Sequence, residues 1–297
     1  TSLDAGLTFE RDLTVLDTPL TQTLEPRAFY VYIPFKDQTA APVFDTAVDD
    51  FNFSQLFAEN RYIGSDRVGD ANQLTLALTS RFLDRETGAE RLRLAVGQRF
   101  YFQDQRVSLN EPLRSASSSD FLVGAEGRLS EAWLLTSLLQ YSFESDEFER
   151  LNLGARYTPA PGRTLGATWR YTRAQADPSG AFEQIKQVDV FGQWPVSERW
   201  TLIGRWNYSF PDRKTLEAVA GIEYNADCWV LRIVGQRLTT TTQQVTTSVF
   251  VQLELNGLAR VGTSPLELLR RSVPGYLPTN DPSLRDRDRS LDPLPEF

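Results

Sequence analysis

Along most of the chain apolar and polar residues alternate one by one. Over 73–83, Leu74, Leu76, Leu78 and Phe82 alternate with Gln73, Thr75, Thr79 and Arg81; over 91–102, Leu92, Leu94, Val96, Phe100 and Phe102 alternate with Arg91, Arg93, Gly97 and Arg99. Over 200–210, Trp200, Leu202, Trp206, Tyr208 and Phe210 alternate with Thr201, Arg205, Asn207 and Ser209. Period two sends successive side chains to opposite faces of a strand. Each segment therefore predicts a strand with one apolar, aromatic-rich face and one face of Arg, Gln, Asn, Thr and Gly. Thirteen such segments can be marked, at 2–13, 20–34, 72–84, 90–102, 119–129, 132–144, 149–159, 163–174, 184–194, 199–210, 214–225, 228–239 and 246–257. Most run 11 to 13 residues, whereas globular strands average about 5–6 and a tilted strand crosses a bilayer in about 9–11. Aromatics at segment ends (Tyr101, Trp133, Tyr141, Trp200, Phe210, Trp229) suit the interfacial girdles of membrane barrels. The fold class this predicts is all-β, an antiparallel transmembrane β-barrel. A large soluble β-sandwich or solenoid is the bland alternative, and strands this long and regular weigh against it.

The connections add an independent signal. Every long one (35–71, 103–118, 175–183, 240–245) is even-numbered in chain order, and the odd-numbered ones stay short. Outer-membrane barrels have short periplasmic turns and longer extracellular loops. Parity thus predicts that 35–71 lies outside, and that the Asn225–Cys228 turn and the chain end after strand thirteen are periplasmic. Thirteen is odd, whereas bacterial single-chain barrels use even numbers. With no initiating Met, the expectation is a piece of a larger barrel. Beyond 258 the pattern stops: Leu266, Leu268 and Leu269 follow Pro265 in a stretch long enough for one or two helical turns, and 278–297 holds five acids, three Arg and four Pro. The chain is read as a barrel portion at 1–258, a periplasmic segment at 259–277 and a disordered tail at 278–297.

Composition narrows the chemistry. The 297 residues include no His, no Met and one Cys. That excludes Ser-His, Cys-His and His-metal sites, a Cys-ligated zinc and any disulfide within the chain, so neither catalysis nor a cofactor is expected. A net charge of −8 argues against nucleic acid as a partner. No apolar run approaches the about 18 residues of a membrane helix.

The stretch 24–83 carries a more specific signal: Leu24-Glu25-Pro26-Arg27, Pro42-Val43-Phe44-Asp45, Phe51-Asn52-Phe53, Asn60-Arg61, Gly64-Ser65-Asp66-Arg67 and Asp70-Ala71-Asn72-Gln73. With Gly221-Ile222-Glu223-Tyr224, Cys228-Trp229, Arg232, Asn256-Gly257-Leu258 and the closing Gly262–Tyr276 stretch, it resembles the barrel domain of the LptD family of lipopolysaccharide-assembly proteins. The similarity covers about residues 3–276. The resemblance implies a barrel of about twenty-six strands, of which this chain supplies the second half, in the outer membrane of a Gram-negative bacterium. It also implies lipopolysaccharide as cargo, received from a periplasmic bridge through an N-terminal domain and inserted into outer-membrane lipid through a lateral opening between first and last strands. The lipoprotein LptE would plug the lumen. No bond chemistry is implied. A general porin or ligand-gated transporter is the rival reading, and an outer-membrane lipase or deacylase a weaker one for want of His.

Four groups of residues follow as candidates. In the family, adjacent cysteines in the 225–228 turn pair with cysteines near the N-terminus; here Cys228 matches and Asp227 stands beside it, leaving one bridge possible, to a cysteine outside this chain, with a free Cys at a strand start as the alternative. The last strand, Thr246–Asn256, would form one lip of the lateral gate, with Val249, Val251, Leu253 and Leu255 on its apolar face; the alternative is an ordinary wall strand. In the 35–71 loop, Val43, Phe44, Phe51, Phe53, Leu56 and Phe57 are apolar beyond what a solvated loop needs, which predicts inward folding against the luminal lipoprotein or as a cap. A self-packed extracellular loop is the alternative. The inward arginines Arg81, Arg91, Arg93, Arg99, Arg156, Arg170 and Arg205 could meet lipid phosphates or partner carboxylates; the favoured reading pairs them with wall acids such as Glu126 and Glu223. Pro26, inside a strand, is expected to mark a bulge.

Overall fold

The computed structural model describes residues 1–15, 17–49, 51–109, 116–176, 182–239, 244–285 and 294. In chain order the strands are β1 (Ser2–Gly6), β2 (Phe9–Val15), β3 (Thr18–Ile33), β4 (Ala47–Val48), β5 (Tyr62–Ile63), β6 (Ala71–Asp84), β7 (Glu90–Tyr101), β8 (Phe121–Arg128) and β9 (Trp133–Ser142). They continue as β10 (Glu147–Ala160), β11 (Arg163–Ala176), β12 (Phe182–Pro195), β13 (Trp200–Ser209), β14 (Lys214–Asn225), β15 (Trp229–Thr239), β16 (Val245–Leu255) and β17 (Ala259–Gly262). One helical turn, α1 (Phe53–Leu56), interrupts the first long loop; a second helix, α2 (Leu266–Ser272), and a 3₁₀ turn (Pro282–Arg285) follow the last strand. Apart from the β4–β5 pair, all strands join one antiparallel 15-stranded sheet, in which β1 and β2 both pair β3 and, from β3 on, each strand neighbours the next along the chain.

Two of these strands depart from the thirteen predicted. The 2–13 segment is divided into β1 and β2, yet both pair β3 in one unbroken register, from Ser2↔Val31 through Gly6↔Arg27 and Phe9↔Leu24 to Val15↔Thr18. Leu7 N donates to Pro26 O at 3.1 Å, and Pro26 has no N–H to return the bond. The ladder thus loses one rung, and the expected bulge is absent. The second departure is β17, a four-residue strand that folds back on β16, so the 246–257 segment is not the last strand.

The two faces of the sheet differ as the alternation requires. Leu76, Leu78, Leu94, Trp133, Trp200, Leu202, Trp206, Ile233, Val249 and Val251 are exposed on one side. Thr75, Arg99, Glu126, Gln140, Asp189, Gln193, Glu223, Arg232 and Gln252 are buried on the other. That inversion of a soluble protein is what a bilayer solvent selects. The strand ends at the short turns carry touching rings, Trp133 with Tyr157 at 4.8 Å and Trp200 with Tyr224 at 4.8 Å between centroids. At the opposite end Tyr141 meets Phe143 and Phe148.

Two chain segments fold onto the polar face and give it its apolar clusters. Near the short-turn end, Leu266, Leu268, Leu269, Val273 and Tyr276 pack on Phe191, Ile203, Val219 and Val234, with Phe250 against them. The segment expected to lack structure from residue 278 continues along this face through Arg285; Gln193 Nε2 donates to Leu277 O at 2.6 Å and Asn225 Nδ2 to Thr279 O at 2.7 Å. The rest of the 278–297 expectation, apart from Leu294, falls outside the described residues.

At the other end the 35–71 loop turns inward. Asn52 caps α1, its Oδ1 accepting from Gln55 N at 3.0 Å. The helical turn drops Leu56 into full burial on the wall, where a Cβ added at Gly97 would lie 2.7 Å from Leu56 Cδ1. Gly97 is therefore the floor of the Leu56 socket. A Gly97→Val chain is expected to overpack it by about 1–3 kcal/mol and lift the loop. Limited chymotrypsin digestion of the assembled protein should spare Phe53 and Phe57 in the unaltered chain and cut them in the variant; ready cutting of both chains there refutes the docking.

Candidate functional site

A dense polar constellation on the inner face surrounds Arg232. Strand pairing sets it opposite Glu223 on β14 and Gln252 on β16, and the side chains of Arg232 and Glu223 are 0% exposed. Arg232 Nη1 donates to Gln252 Oε1 at 3.2 Å and to Glu254 Oε2 at 2.5 Å, Nη2 donates to Asn280 Oδ1 at 2.7 Å, and Nε lies 3.4 Å from Glu223 Oε1. Glu254 Oε1 accepts from Arg260 Nε of β17 at 2.8 Å. Glu223 accepts from the Tyr276 hydroxyl and, at 3.1 Å, from Thr279 N. Two arginines and two glutamates thus balance in charge and bind β14, β15, β16, β17 and the C-terminal segment to one another. Burial, and then the negative charge of Glu223, push the Tyr276 phenol above its ordinary range, so Tyr276 acts here as a donor.

Beside this network the edge of the sheet is unevenly covered. β17 pairs only Gln252–Leu255 of β16, and Gly262 closes the return. With φ at +97°, Gly262 lies so close to Val251 O that no Cβ fits. Thr246 and Val249 lie beyond the covered stretch and Leu253 and Leu255 within it, while Val251 marks its end, its carbonyl accepting from Thr263 N at 3.0 Å. Val249 is 69% exposed and Val251 and Leu253 share its face. Cys228 is exposed in the short turn before β15, free among the described residues, and its carbonyl accepts from Asn256 N at 3.0 Å. Its neighbour Asp227 holds φ at +62°, a conformation that Asp tolerates better than most residues.

The candidate loop residues separate. Leu56 is buried, and Phe57 packs on Phe29 at 6.1 Å and under the Arg27 guanidinium at 3.9 Å. Phe51 and Phe53 are half-buried, whereas Phe44 is 84% exposed. The chain entering the β4–β5 hairpin that follows it is pinned by Asp66, whose Oδ2 accepts from Phe44 N at 2.7 Å and Asp45 N at 2.8 Å. Those donors hold the Asp66 carboxyl below the ordinary carboxylate range, so its support for the loop is complete at neutral pH and is lost as pH falls through that lowered value. Asp70 ties in the second long loop by accepting from Arg106 N and Val107 N at 3.0 and 2.9 Å.

Among the candidate arginines, Arg81 faces Glu25 at 3.3 Å, Arg91 pairs with Asp84 at 2.9 Å and Arg93 with Glu90 at 2.6 Å. Arg205 joins Asp189 at 2.8 Å and Glu217 at 2.9 Å, with Arg170 3.7 Å from Asp189. Arg99 differs: it is buried and donates to Leu56 O at 2.8 Å and to Gln55 O, capping the carbonyl end of α1. The wall acids that bind Arg are therefore mostly others than Glu126, which stands cross-strand to Arg93 with its Oε2 unpartnered. Glu223 pairs with Arg232, an arginine that strand alternation alone does not distinguish from the rest.

Long antiparallel strands, an apolar outward face, aromatic strand ends and a charge-paired inner face define the wall of an outer-membrane β-barrel. The family described as LPS transport system D matches residues 1–200, and the chain belongs to that family, LptD. The LPS-assembly protein LptD of Azoarcus sp. (strain BH72) is 49% identical over 282 residues, covering 95% of this chain and 34% of that protein. Its namesake in Thiobacillus denitrificans is 45% identical over 282 residues, covering 94% and 37%. The chain thus spans about a third of the length of the curated relatives it matches. A Rh. blastica porin mutant overlaps 84% of this chain at a TM-score of 0.34 and 13% identity, too loosely to bear on function.

Breaking one partner of the Arg232 network leaves a buried charge alone, at a cost of about 3–5 kcal/mol. Arg232→Met should lower the unfolding free energy of the micelle-refolded protein, read from its urea transition, by an amount in that range, and so lower the urea midpoint. Adding Glu223→Gln and Glu254→Gln should restore part of the loss. A single Arg232→Met with an unchanged midpoint contradicts the network.

Proposed function

We propose that this chain is part of the wall of an outer-membrane translocon that inserts lipopolysaccharide into the outer leaflet, with β16 as one lip of its lateral opening. Membership in the LptD family carries the reading, supported by an edge strand whose free stretch begins beyond Val251. In hydrocarbon, unpaired backbone groups cost several kcal/mol each. Thr246–Phe250 therefore needs the first strand of the complete barrel to close on, and that short ladder is the natural place to open. Leu253 and Leu255, backed by β17, stay paired.

The long-turn end faces outside and the Cys228 turn faces the periplasm, where disulfides persist. Cys228 then pairs with a cysteine outside this chain, joining barrel to N-terminal domain. LptE fills the lumen against the docked loop, with Phe57 and Leu56 fixed on the wall and Phe44 left for contact. A periplasmic bridge delivers the lipid to the N-terminal domain. The protein performs no bond chemistry and needs no cofactor; the relatives are named for assembly, not for catalysis.

Depletion of the full-length protein is expected to empty the cell surface of newly made lipopolysaccharide, and re-expression to restore it. Undiminished delivery after depletion refutes the assignment, and partner-independent ion conductance by the purified barrel would favour a porin instead. Separately, full-length protein should run as an oxidised form on non-reducing gels, with mobility shifted by Cys228→Ser. Identical mobility of the two chains contradicts the bridge.

A further inference from the structure

On the outward face, cations stand without acidic partners at the long-turn end. Lys186 Nζ lies 5.9 Å from the ring centroid of Trp169, and Lys186 O accepts from Phe210 N at 2.9 Å. From there a strip of rings runs across β11 and β13, with Trp169–Phe210, Phe210–Tyr208 and Tyr208–Trp206 centroids 5.4, 5.2 and 5.4 Å apart. Arg237 lies in the same ladder row as Trp206, with only the small Ala218 between them. It shares the parity of Ile233, an exposed apolar residue of the outward face. A cleft opens beside this row, lined by Asp212, Lys214, Thr215, Arg237, Thr239 and Val245. Its one acid, Asp212, accepts from Ser209 Oγ at 2.8 Å, and Thr215 Oγ1 accepts from Trp206 Nε1 at 3.1 Å.

Among the described residues no carboxylate pairs with Lys186 or Arg237, while Arg173 at the same end is taken by Glu147 and Glu149. A lipid-facing cation is costly at mid-membrane and tolerated near the interface, where the anions within reach are headgroup phosphates. A guanidinium fork matches a phosphate in geometry as well as charge, and the aromatic strip sits at headgroup depth.

We propose that this rim is a binding site for a phosphorylated lipid headgroup. Arg237 holds a phosphate at the mouth of the cleft, Lys186 extends the positive field along the strip, and Trp206 and Tyr208 pack against the uncharged part of the headgroup. The inference rests on the reading above that this end of the wall lies at the outer leaflet, and it adds a retention site beside the open end of the edge strand, which contributes Val245 to the cleft.

Native mass spectrometry of the delipidated full-length complex tests it, with three probes: a phosphorylated glycolipid, the same glycolipid dephosphorylated, and inorganic phosphate. The unaltered protein should retain the phosphorylated lipid about tenfold better than the dephosphorylated one, corresponding to about 1.4 kcal/mol. Arg237→Glu/Lys186→Glu should abolish that preference, and the neutral Arg237→Gln/Lys186→Gln pair should reduce it. Arg163→Glu should leave it intact, because Arg163 sits 5.8 Å from Trp194 in a similar pairing at the opposite end. Equal retention by the rim variants and the unaltered protein overturns the proposal, as does displacement of the lipid by equimolar inorganic phosphate, which assigns the site to the free ion. If surface delivery fails on depletion while the rim variants bind normally, only this inference falls. If delivery is independent of the protein, the export reading falls instead.

Discussion

A backbone amide placed in hydrocarbon has no water to turn to, so each N–H and C=O must find a partner inside the protein. In this chain the antiparallel ladder supplies those partners, and the other features arrange themselves around it. Strands must be long enough to cross the bilayer and must neighbour their successors, as β6 through β17 do. Where a rung is missing, the reason is chemical: Pro26 cannot donate, and Leu7 still donates to it. The register runs on past the gap because the bonds on either side are intact. Once the ladder satisfies the backbone, side chains are free to be apolar toward lipid and polar toward the interior.

That freedom shifts the packing problem to the polar face. A charged wall that is also buried needs its charges matched, and the pairs Arg91–Asp84, Arg93–Glu90 and Arg205–Asp189 do this within or between adjacent strands. Around Arg232 the matching extends beyond the wall, because Asn280, Tyr276 and Thr279 come from the returning C-terminal segment. Burying an ion pair gives little net stability against apolar residues of the same size, but its partners have almost no freedom to rearrange. Arg232 therefore works as a register pin, holding β16 through Glu254 and the returning segment through Asn280. The first long loop uses a neutral version of the same device: Arg99 receives the carbonyl end of α1, and the bare backbone of Gly97 makes room for Leu56.

Strand alternation was legible because period two survives any substitution that keeps polarity, and it located β3 and β6 through β16 closely. It could not reveal β17, whose Ala259–Gly262 run has no alternation to read and exists because Gly257 and Gly262 turn the chain back. The inward course of the 35–71 loop was visible in its apolar content, yet which residues dock depends on the α1 cap at Asn52. That cap buries Leu56 and leaves Phe44 outside. Arg232 was marked only as part of the family resemblance, and its network was hidden for a different reason. In sequence it is one arginine among many on polar faces, and its partners are distant in the chain, brought together only by strand register and the C-terminal return.

The unequal cover of β16 follows from that same return. A chain that ended at Leu255 would leave the whole of its last edge unpaired, and the edge would need a full-length neighbour to enter a membrane. Folding Ala259–Gly262 back satisfies the stretch nearest the short turn, and Arg260 then adds its charge to Glu254 on the inner face. The hairpin and the Arg232 network thus reinforce the same end of the same strand, one through the backbone and the other through side chains. What remains is a strand firmly held at one end and open to a partner at the other. In the lateral opening proposed above, that asymmetry would let strain be relieved along Val245–Phe250 before it reaches the pinned end.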